Sequence, residues 1–381
     1  MTAGNSPLRV AIATGGVFPE AVGGSQRHTR LLVEHLSKNH DVELHVLHPH
    51  AKRLFEGMES VREITIPRFN SRIQYLFDCY GYSRRVRDVI STLPPETIIY
   101  GQCTAVWSGI SRFRDRFVLN PHGLEPYQTL DRKTRLKYTP MRWAHDWLFN
   151  QSRHIISLGG RLTDIIRDSA HPSAKIHVIP NAVDLPASPP CKQFGPVCRL
   201  AFVGRHFSNK GIRDLVEAMR LLADTPYRDR VRLDLVGDGP LLPELRTAYT
   251  SPNVTFHGRQ GDDFLNRILA EADLFVFPTL FEGMPTVVME AMSYGTPIAV
   301  TDTGATLDLL DEQVGFLLQK KNPGQIAETI KRFVDLPAES KRAMGDAARA
   351  KIARQFTWPV VARQHYELFR NLAEDLRTIQ R

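Results

Sequence analysis

The sequence predicts two successive doubly wound α/β domains, and three observations carry that expectation. Short apolar runs alternate with amphipathic stretches, a proline-dense stretch interrupts the alternation near its midpoint, and the same alternation then restarts. Apolar runs separated by helix-period segments are the pattern of parallel strands covered by helices. At 381 residues and 42% hydrophobic content, the chain is long enough to bury two cores.

In chain order, RVAIAT reads as the opening strand, SQRHTRLLVEHLSKN as an amphipathic helix and DVELHVL as the next strand; TIIYG, RFVLNPHG and HIISLG are further strands. After VIPNAVD comes LPASPPCKQFGPVC. Here Pro186, Pro189, Pro190 and Pro196 sustain neither a helix nor a central strand, so a linker is placed at 186–197. The second half restarts at LAFVG and continues with GIRDLVEAMRLLAD as a helix, VRLDLVG and NVTFHG as strand ends, and DLFVFP and TPIAVTD as later strands. The expected organisation is 1–185, the linker 186–197, 198–357, and a closing segment 358–381, with a cleft between two sheets. No solenoid-length repeat or low-complexity tract is visible.

The net charge of +8 is unevenly placed. Residues 1–190 hold 24 Lys+Arg against 17 Asp+Glu, and residues 191–381 hold 25 against 24. A basic first half fits either an anionic partner there or a merely well-solvated surface. No finger, RNP or basic-zipper pattern accompanies the charge, which argues against nucleic acid. No run reaches the roughly 18 apolar residues of a spanning helix, and the N-terminus lacks a leader pattern, so a cytoplasmic location is expected. Cys79, Cys103, Cys191 and Cys198 show neither C-x-x-C pairing nor a metal-ligand rhythm, and read as reduced thiols.

Ligands of open α/β sheets bind beyond the carboxyl ends of the strands, so residues following each apolar run carry the most weight. After LAFVG, the loop GRHFSNKG offers Arg205 and Lys210, with Gly204 and Gly211 expected to permit tight turns. The two cations suit a pyrophosphate, and equally an exposed loop. Asp238 opens the turn DGP after the next strand; turn chemistry accounts for it, and GDGPLL fails the dinucleotide fingerprint at Leu242. Arg259 and Gln260 follow NVTFHG, placed either to meet a base or ribose or to be solvated. After DLFVFP, the loop from Glu282 to Thr286, with Gly283 and Pro285 inside it, leads into a helix near TVVMEAM. The N–H groups of Met284, Thr286 and Val287 at such a helix start would form an anion site, and Pro285 suits the first helical turn. Glu290, farther along, is suited to a ribose diol and Glu282 to another polyol; singly, each also reads as an ordinary helix-start or surface acid.

FEGMPTVVMEAMSYGTPIAVTDTG resembles the E-x7-E signature of retaining GT-B glycosyltransferases of the GT4 family. FVGRHFSNKG resembles that family's donor-phosphate loop, LVGDGPLLPELR its next strand and turn, and VIPNAVD its interdomain segment. VGGSQRHTRLLVEHL resembles the Gly-Gly loop and first helix, LNPHGLE the His-Gly turn, and FTWPVVARQHYELF the closing segment. Two departures stand out: Ala182 replaces a frequent glycine, and GATLDLLDEQVGF differs from the commoner acidic sequence.

The resemblance implies a GT-B architecture, two Rossmann-like domains facing a central cleft, with acceptor bound by the first and nucleotide sugar by the second. Arg205 and Lys210 would neutralise the donor diphosphate, Glu290 would bind ribose and Glu282 the transferred sugar. The N–H groups from Met284 to Val287 would stabilise the departing nucleoside diphosphate. Gly23 and Gly24 would admit phosphate or acceptor, and His122 would line the sugar pocket. No D-x-D occurs, which agrees with a donor that needs no metal and no other cofactor. The implied partners are a UDP- or GDP-sugar and a glycan or lipid-linked acceptor. Within YQTLDRKTRLKYTPMRWAHDW, Arg132, Lys133, Arg135, Lys137 and Arg142 alternate with aromatic residues, suiting either peripheral contact with an anionic inner membrane face or a solvated helix pair. The rival functions are a nucleotide-sugar epimerase or hydrolase of similar fold and a non-catalytic sugar-nucleotide-binding subunit.

Overall fold

The computed structural model describes residues 7–67, 75–129, 132–187, 192–249 and 251–379. Two compact units emerge, one of residues 1–181 with 358–381 and the other of residues 182–357. The division falls just before the expected boundary at 185 for a local reason. Val183 bridges Thr357 and its N–H donates to Phe356 O at 2.9 Å, which ties it to the second unit. Cys191, Pro189 and Pro190 of the expected linker lie outside the described residues.

In the first unit the described strands are β1 (Leu8–Ala13), β2 (Val42–His48), β3 (Val61–Thr65), β4 (Ile98–Gln102), β5 (Phe117–Asn120), β6 (His154–Ser157) and β7 (Lys175–Val178). They form one parallel sheet in the order β3-β2-β1-β4-β5-β6-β7. Central strands such as β4 and β5 are buried throughout, as continuous apolar runs covered on both faces must be. Helix Gly24–Asn39 covers the sheet with His28, Thr29, Leu32, Val33 and Leu36, and helix Trp358–Ile379 packs on it through Trp358 and His365.

The second unit has β8 (Cys198–Val203), β9 (Val231–Val236), β10 (Val254–Gly258), β11 (Leu274–Phe277), β12 (Ile298–Thr301) and β13 (Gly315–Leu318), parallel in the order β10-β9-β8-β11-β12-β13. Helix Ile212–Ala223 buries Ile212, Leu215, Val216, Met219 and Leu222 along one stripe. The strands unannounced in the sequence, β3, β7 and β13, sit at sheet edges with residues that are mostly half-buried or exposed. An edge strand buries too little to need a continuous apolar run.

Chain order reverses between β1 and β4 in the first sheet and between β8 and β11 in the second. Loops leaving two adjacent carboxyl ends in opposite directions open a crevice at such a point. Cys79 and Cys198 are buried free thiols and Cys103 is half-buried.

Candidate functional site

In the second unit, the two loops at the chain reversal are joined. Leu280 N donates to Asn209 O at 2.8 Å, and Thr279 Oγ1 reaches the same carbonyl at 3.1 Å. This brings Lys210, which ends a short 3-10 turn, against Glu282: the ammonium donates to Oε1, and both side chains are nearly enclosed, at 14% and 15% exposure. Thr279 Oγ1 lies 3.3 Å from the same carboxylate oxygen, and Lys210 Nζ stands 5.8 Å from the centre of the Phe277 ring. An ammonium carries three donors, so Lys210 has capacity for an anion besides Glu282.

Gly211, next to Lys210, takes φ 66°, and a Cβ there would fall 1.9 Å from Pro278 O. Only glycine brings the loop this close to the end of β11. Gly204 is different: no left-handed conformation is recorded for it, and a Cβ would meet nothing nearer than 3.5 Å, so the expected requirement for glycine there is not upheld.

Helix Thr286–Ser293 covers the expected TVVMEAM segment. Pro285 is its N-cap, with φ −74° and ψ 110°, rather than a first-turn residue. Val288 N and Met289 N already donate to Pro285 O, which leaves Thr286 and Val287 as the N–H groups before the first helical bond. No acidic residue stands in the first turn and no side chain caps it, so the positive helix end is unopposed locally. Met284 is buried, and Gly283 O accepts from Ala305 N at 2.8 Å, fixing the loop ahead of the helix. Glu290 is half-buried on the same helix and, after burial itself, helps to raise the Tyr294 phenol.

The remaining candidates of this unit are more peripheral. Arg205 is exposed, its guanidinium 5.1 Å from the Phe207 ring. Asp238 turns its carboxylate onto Gly239 N at 2.7 Å, while its carbonyl accepts from His206 N, so turn chemistry accounts for its side chain. Arg259 is exposed beyond β10, and Gln260 Nε2 donates to the carbonyl of His257.

In the first unit, Gly23 caps helix Gly24–Asn39 in extended backbone, and a Cβ on Gly24 would meet only open space. Neither position demands glycine conformationally. Beside them, a polar pocket of about 100 Å³ is lined by Thr14, Gln26, Tyr82, Gln102 and Cys103, at the reversal between β1 and β4. Sequence reading missed these groups, although the rule of looking just past each apolar run points to Gln102 and Cys103.

His122 adopts φ 57° directly after β5, and its N–H donates to Asn120 Oδ1 at 2.9 Å. Asn120 Nδ2 in turn donates to Tyr100 Oη at 2.7 Å, so a buried chain orients the turn. The ring lies 5.0 Å from His28, which is 5.6 Å from His365, and His122 Nε2 is buried without a hydrogen-bond partner among the described residues. Burial, with His365 nearby, pushes His122 down to about 3, and burial takes His365 to about 4. These imidazoles are therefore neutral at pH 7.

A pH dependence of stability follows. With folded values below the ordinary 6.5, the unfolded chain binds the extra protons, so stability is complete above about pH 6.5 and is lost as pH falls through about 4 toward 3. The melting temperature should decline over that window, and His365→Leu should flatten the decline. An unchanged slope in the folded variant would remove the histidine cluster as its cause.

Among the described residues, no three His, Cys, Asp or Glu side chains gather to hold a metal. Among them, too, no helix is long and apolar enough to cross a membrane.

Comparison with known proteins decides the family. The model of Glycosyltransferase Family 4 matches residues 22–186, and that of Glycosyl transferases group 1 matches residues 198–335. The chain belongs to the group 1, family 4 glycosyltransferases. This family-4 chain is 30% identical over 237 residues to a 2-deoxystreptamine glucosyltransferase of Streptomyces kanamyceticus, covering 56% of this chain and 60% of the relative. It is 23% identical to the alpha-maltose-1-phosphate synthase of Mycolicibacterium smegmatis, over 96% of this chain and 100% of that one. The family-4 chain spans 33% to 60% of the length of the first three curated relatives it matches. In fold it resembles sucrose-phosphate synthase from Thermosynechococcus elongatus, with a TM-score of 0.77 at 20% identity over 96% and 99% of the two chains. It also resembles Anabaena HepE solved with UDP and glucose, with a TM-score of 0.67 at 18% identity over 95% and 99%. The family-4 chain thus has the GT-B fold, two Rossmann-like domains.

Proposed function

We propose that the protein is a retaining glycosyltransferase that moves a sugar from a nucleoside-diphosphate donor to an acceptor hydroxyl in glycan, polysaccharide or glycolipid synthesis. One observation carries this reading. Lys210, Glu282 and the uncapped start of helix Thr286–Ser293 are assembled on adjoining loops at the chain reversal of the second sheet. That arrangement pairs an anion receptor with a carboxylate able to hold sugar hydroxyls.

In this reading the diphosphate lies against the N–H groups of Thr286 and Val287, with Lys210 and Arg205 countering its charge. Glu290 accepts from the ribose hydroxyls and Glu282 from those of the transferred sugar. As the C1–O bond to the phosphate breaks, negative charge grows on the leaving oxygen where cations and helix dipole already point. The acceptor hydroxyl attacks from the same face and its proton passes to that leaving phosphate oxygen, so configuration is retained without an enzyme nucleophile. His122, neutral at pH 7, offers Nε2 to a sugar hydroxyl. No metal is assigned, since Lys210, Arg205 and the helix start supply the positive charge. The complex of the similar HepE with UDP and glucose favours UDP as the first donor base to try.

A screen of UDP-, GDP- and ADP-sugars, read as nucleotide release with and without acceptors and repeated in chelator, tests the proposal. Acceptor-dependent release that persists in chelator is expected. Release with no glycosylated product would favour a hydrolase, and loss restored by Mg²⁺ would overturn the metal-free account. By calorimetry, Glu290→Ala should weaken binding of the cognate nucleoside diphosphate by about 1.5–3 kcal/mol, the range for hydrogen bonds to a charged group. Unchanged affinity would remove Glu290 from the ribose site.

A further inference from the structure

The first unit carries an aromatic groove that shares no residue with the donor site proposed above. Leu76, Phe77 and Tyr80 of helix Tyr75–Ile90, Trp107 of the loop after β4, and Trp143 and Trp147 of helix Thr139–Gln151 line a groove of about 460 Å³. Its lining, completed by Ser108 and Gly109, contains no charged side chain. Phe77 is 77% exposed and Trp143 62% exposed, while Trp107 is buried and meets Tyr80 edge to face at 5.6 Å. The groove therefore combines a buried Trp107 with two large apolar side chains projecting into solvent. Soluble surfaces rarely concentrate apolar groups in this way without an occupant.

The surroundings identify that occupant. Helix Arg132–Lys137 precedes the Trp143 helix, and Tyr138, in helical conformation, continues the path between them: its N–H donates to Thr134 O and its carbonyl accepts from Arg142 N. Arg132, Lys133, Arg135 and Lys137 are all exposed, the helix contains no acid, and Leu136 projects among them into solvent. Leu136, Trp143 and Trp147 follow one another at helical spacing. On the other wall, exposed Arg84 lies four residues beyond Tyr80. A second copy of this chain would set cations against cations across a self-complementary interface, which repels. Anionic lipid answers both halves of the surface, because headgroups meet the cations and acyl chain meets the groove. Exposed tryptophan beside clustered Lys and Arg is the composition that settles at a bilayer interface.

We propose that this face of the first unit binds an anionic membrane surface, with the aromatic groove seating lipid acyl chain and the Arg132–Lys137 helix lying on the headgroups. The face would keep the protein where a lipid-borne acceptor is presented. It stands independently of the donor site, because no donor residue takes part.

The experiment is flotation of the full-length protein with vesicles of phosphatidylcholine alone or with roughly 30% phosphatidylglycerol, a composition giving a negative surface potential. Intrinsic tryptophan emission is followed with lipids brominated along the acyl chain. Binding to the anionic vesicles alone, with quenching by bromine, is expected. The double variant Phe77→Ser, Trp143→Ser should reduce binding at least about tenfold and remove most quenching, at an unchanged melting temperature, because both side chains are solvent-exposed and cost little to truncate. Reversing Arg132, Lys133, Arg135 and Lys137 to Glu should weaken binding as raised salt does, over a Debye length of about 10 Å at 0.1 M. Failure to bind anionic vesicles overturns the proposal. So does binding without quenching that persists in the aromatic double variant, which would be adsorption through charge alone. Self-association in sedimentation that is lost in that variant would instead assign the groove to a second copy. Donor-dependent nucleotide release, measured in parallel without vesicles, should be equal in all variants, so a failed membrane reading leaves the donor reading intact.

Discussion

Lys210→Ala should lower turnover by about 10²–10³-fold, the loss seen when one well-aimed electrostatic group is removed from a developing oxyanion, equivalent to about 2.7–4 kcal/mol. Lys210 is nearly enclosed and held by Glu282, so its charge is placed before any diphosphate arrives. Arg205, exposed and lying beside Phe207, is the less constrained cation, and its alanine variant should lose less. Removing Lys210 also leaves Glu282 enclosed without its cation, so Lys210→Ala should be less stable than the double variant with Glu282→Ala; a partly buried acid deprived of its partner costs more than a missing pair. Steady-state kinetics with the cognate donor and thermal melts on the single and double variants measure both effects. Turnover within about threefold of the parent in folded Lys210→Ala protein would place the diphosphate elsewhere.

The largest stability effect should come from Gly211→Ala. The substitution puts a Cβ in left-handed backbone, at about 1–2 kcal/mol, and 1.9 Å from the Pro278 carbonyl, which the loop can relieve only by moving. A total loss of at least about 3 kcal/mol is expected, a fall of roughly 6–12 °C in the second unit's melting at 2–4 °C per kcal/mol for a domain of this size. Gly204→Ala is the control in the same loop, with a shift of no more than about 1 kcal/mol, because its Cβ would meet only ordinary contacts from 3.5 Å outward. Equal melting of the two variants would show that the loop yields freely and that Gly211 does not hold it against the end of β11.

Much of this molecule was legible because burial writes itself into sequence. RVAIAT, TIIYG, LAFVG and DLFVFP are central strands whose middles are buried and run apolar, with polar residues such as Arg9, Gln102 and Arg199 kept near the strand ends; β3, β7 and β13 escaped notice because an edge strand has no such demand. The candidate donor residues were legible for a related reason: each follows an apolar run, and a doubly wound sheet places such residues along one edge.

By itself, then, the sequence determined the two-sheet architecture, the pairing of Glu282 with Glu290 on one loop-helix segment, and the basic balance of the first half. Partners distant along the chain were decided only by tertiary structure. Lys210 and Glu282 are 72 residues apart, and nothing local requires them to meet; they meet because β8 and β11 are neighbours and Asn209 anchors the Thr279 loop. The same holds for His28 beside His122, and for Phe77 and Trp143 on the walls of one groove. Periodicity records what each segment must bury, whereas the order in which strands pair settles which side chains share a site.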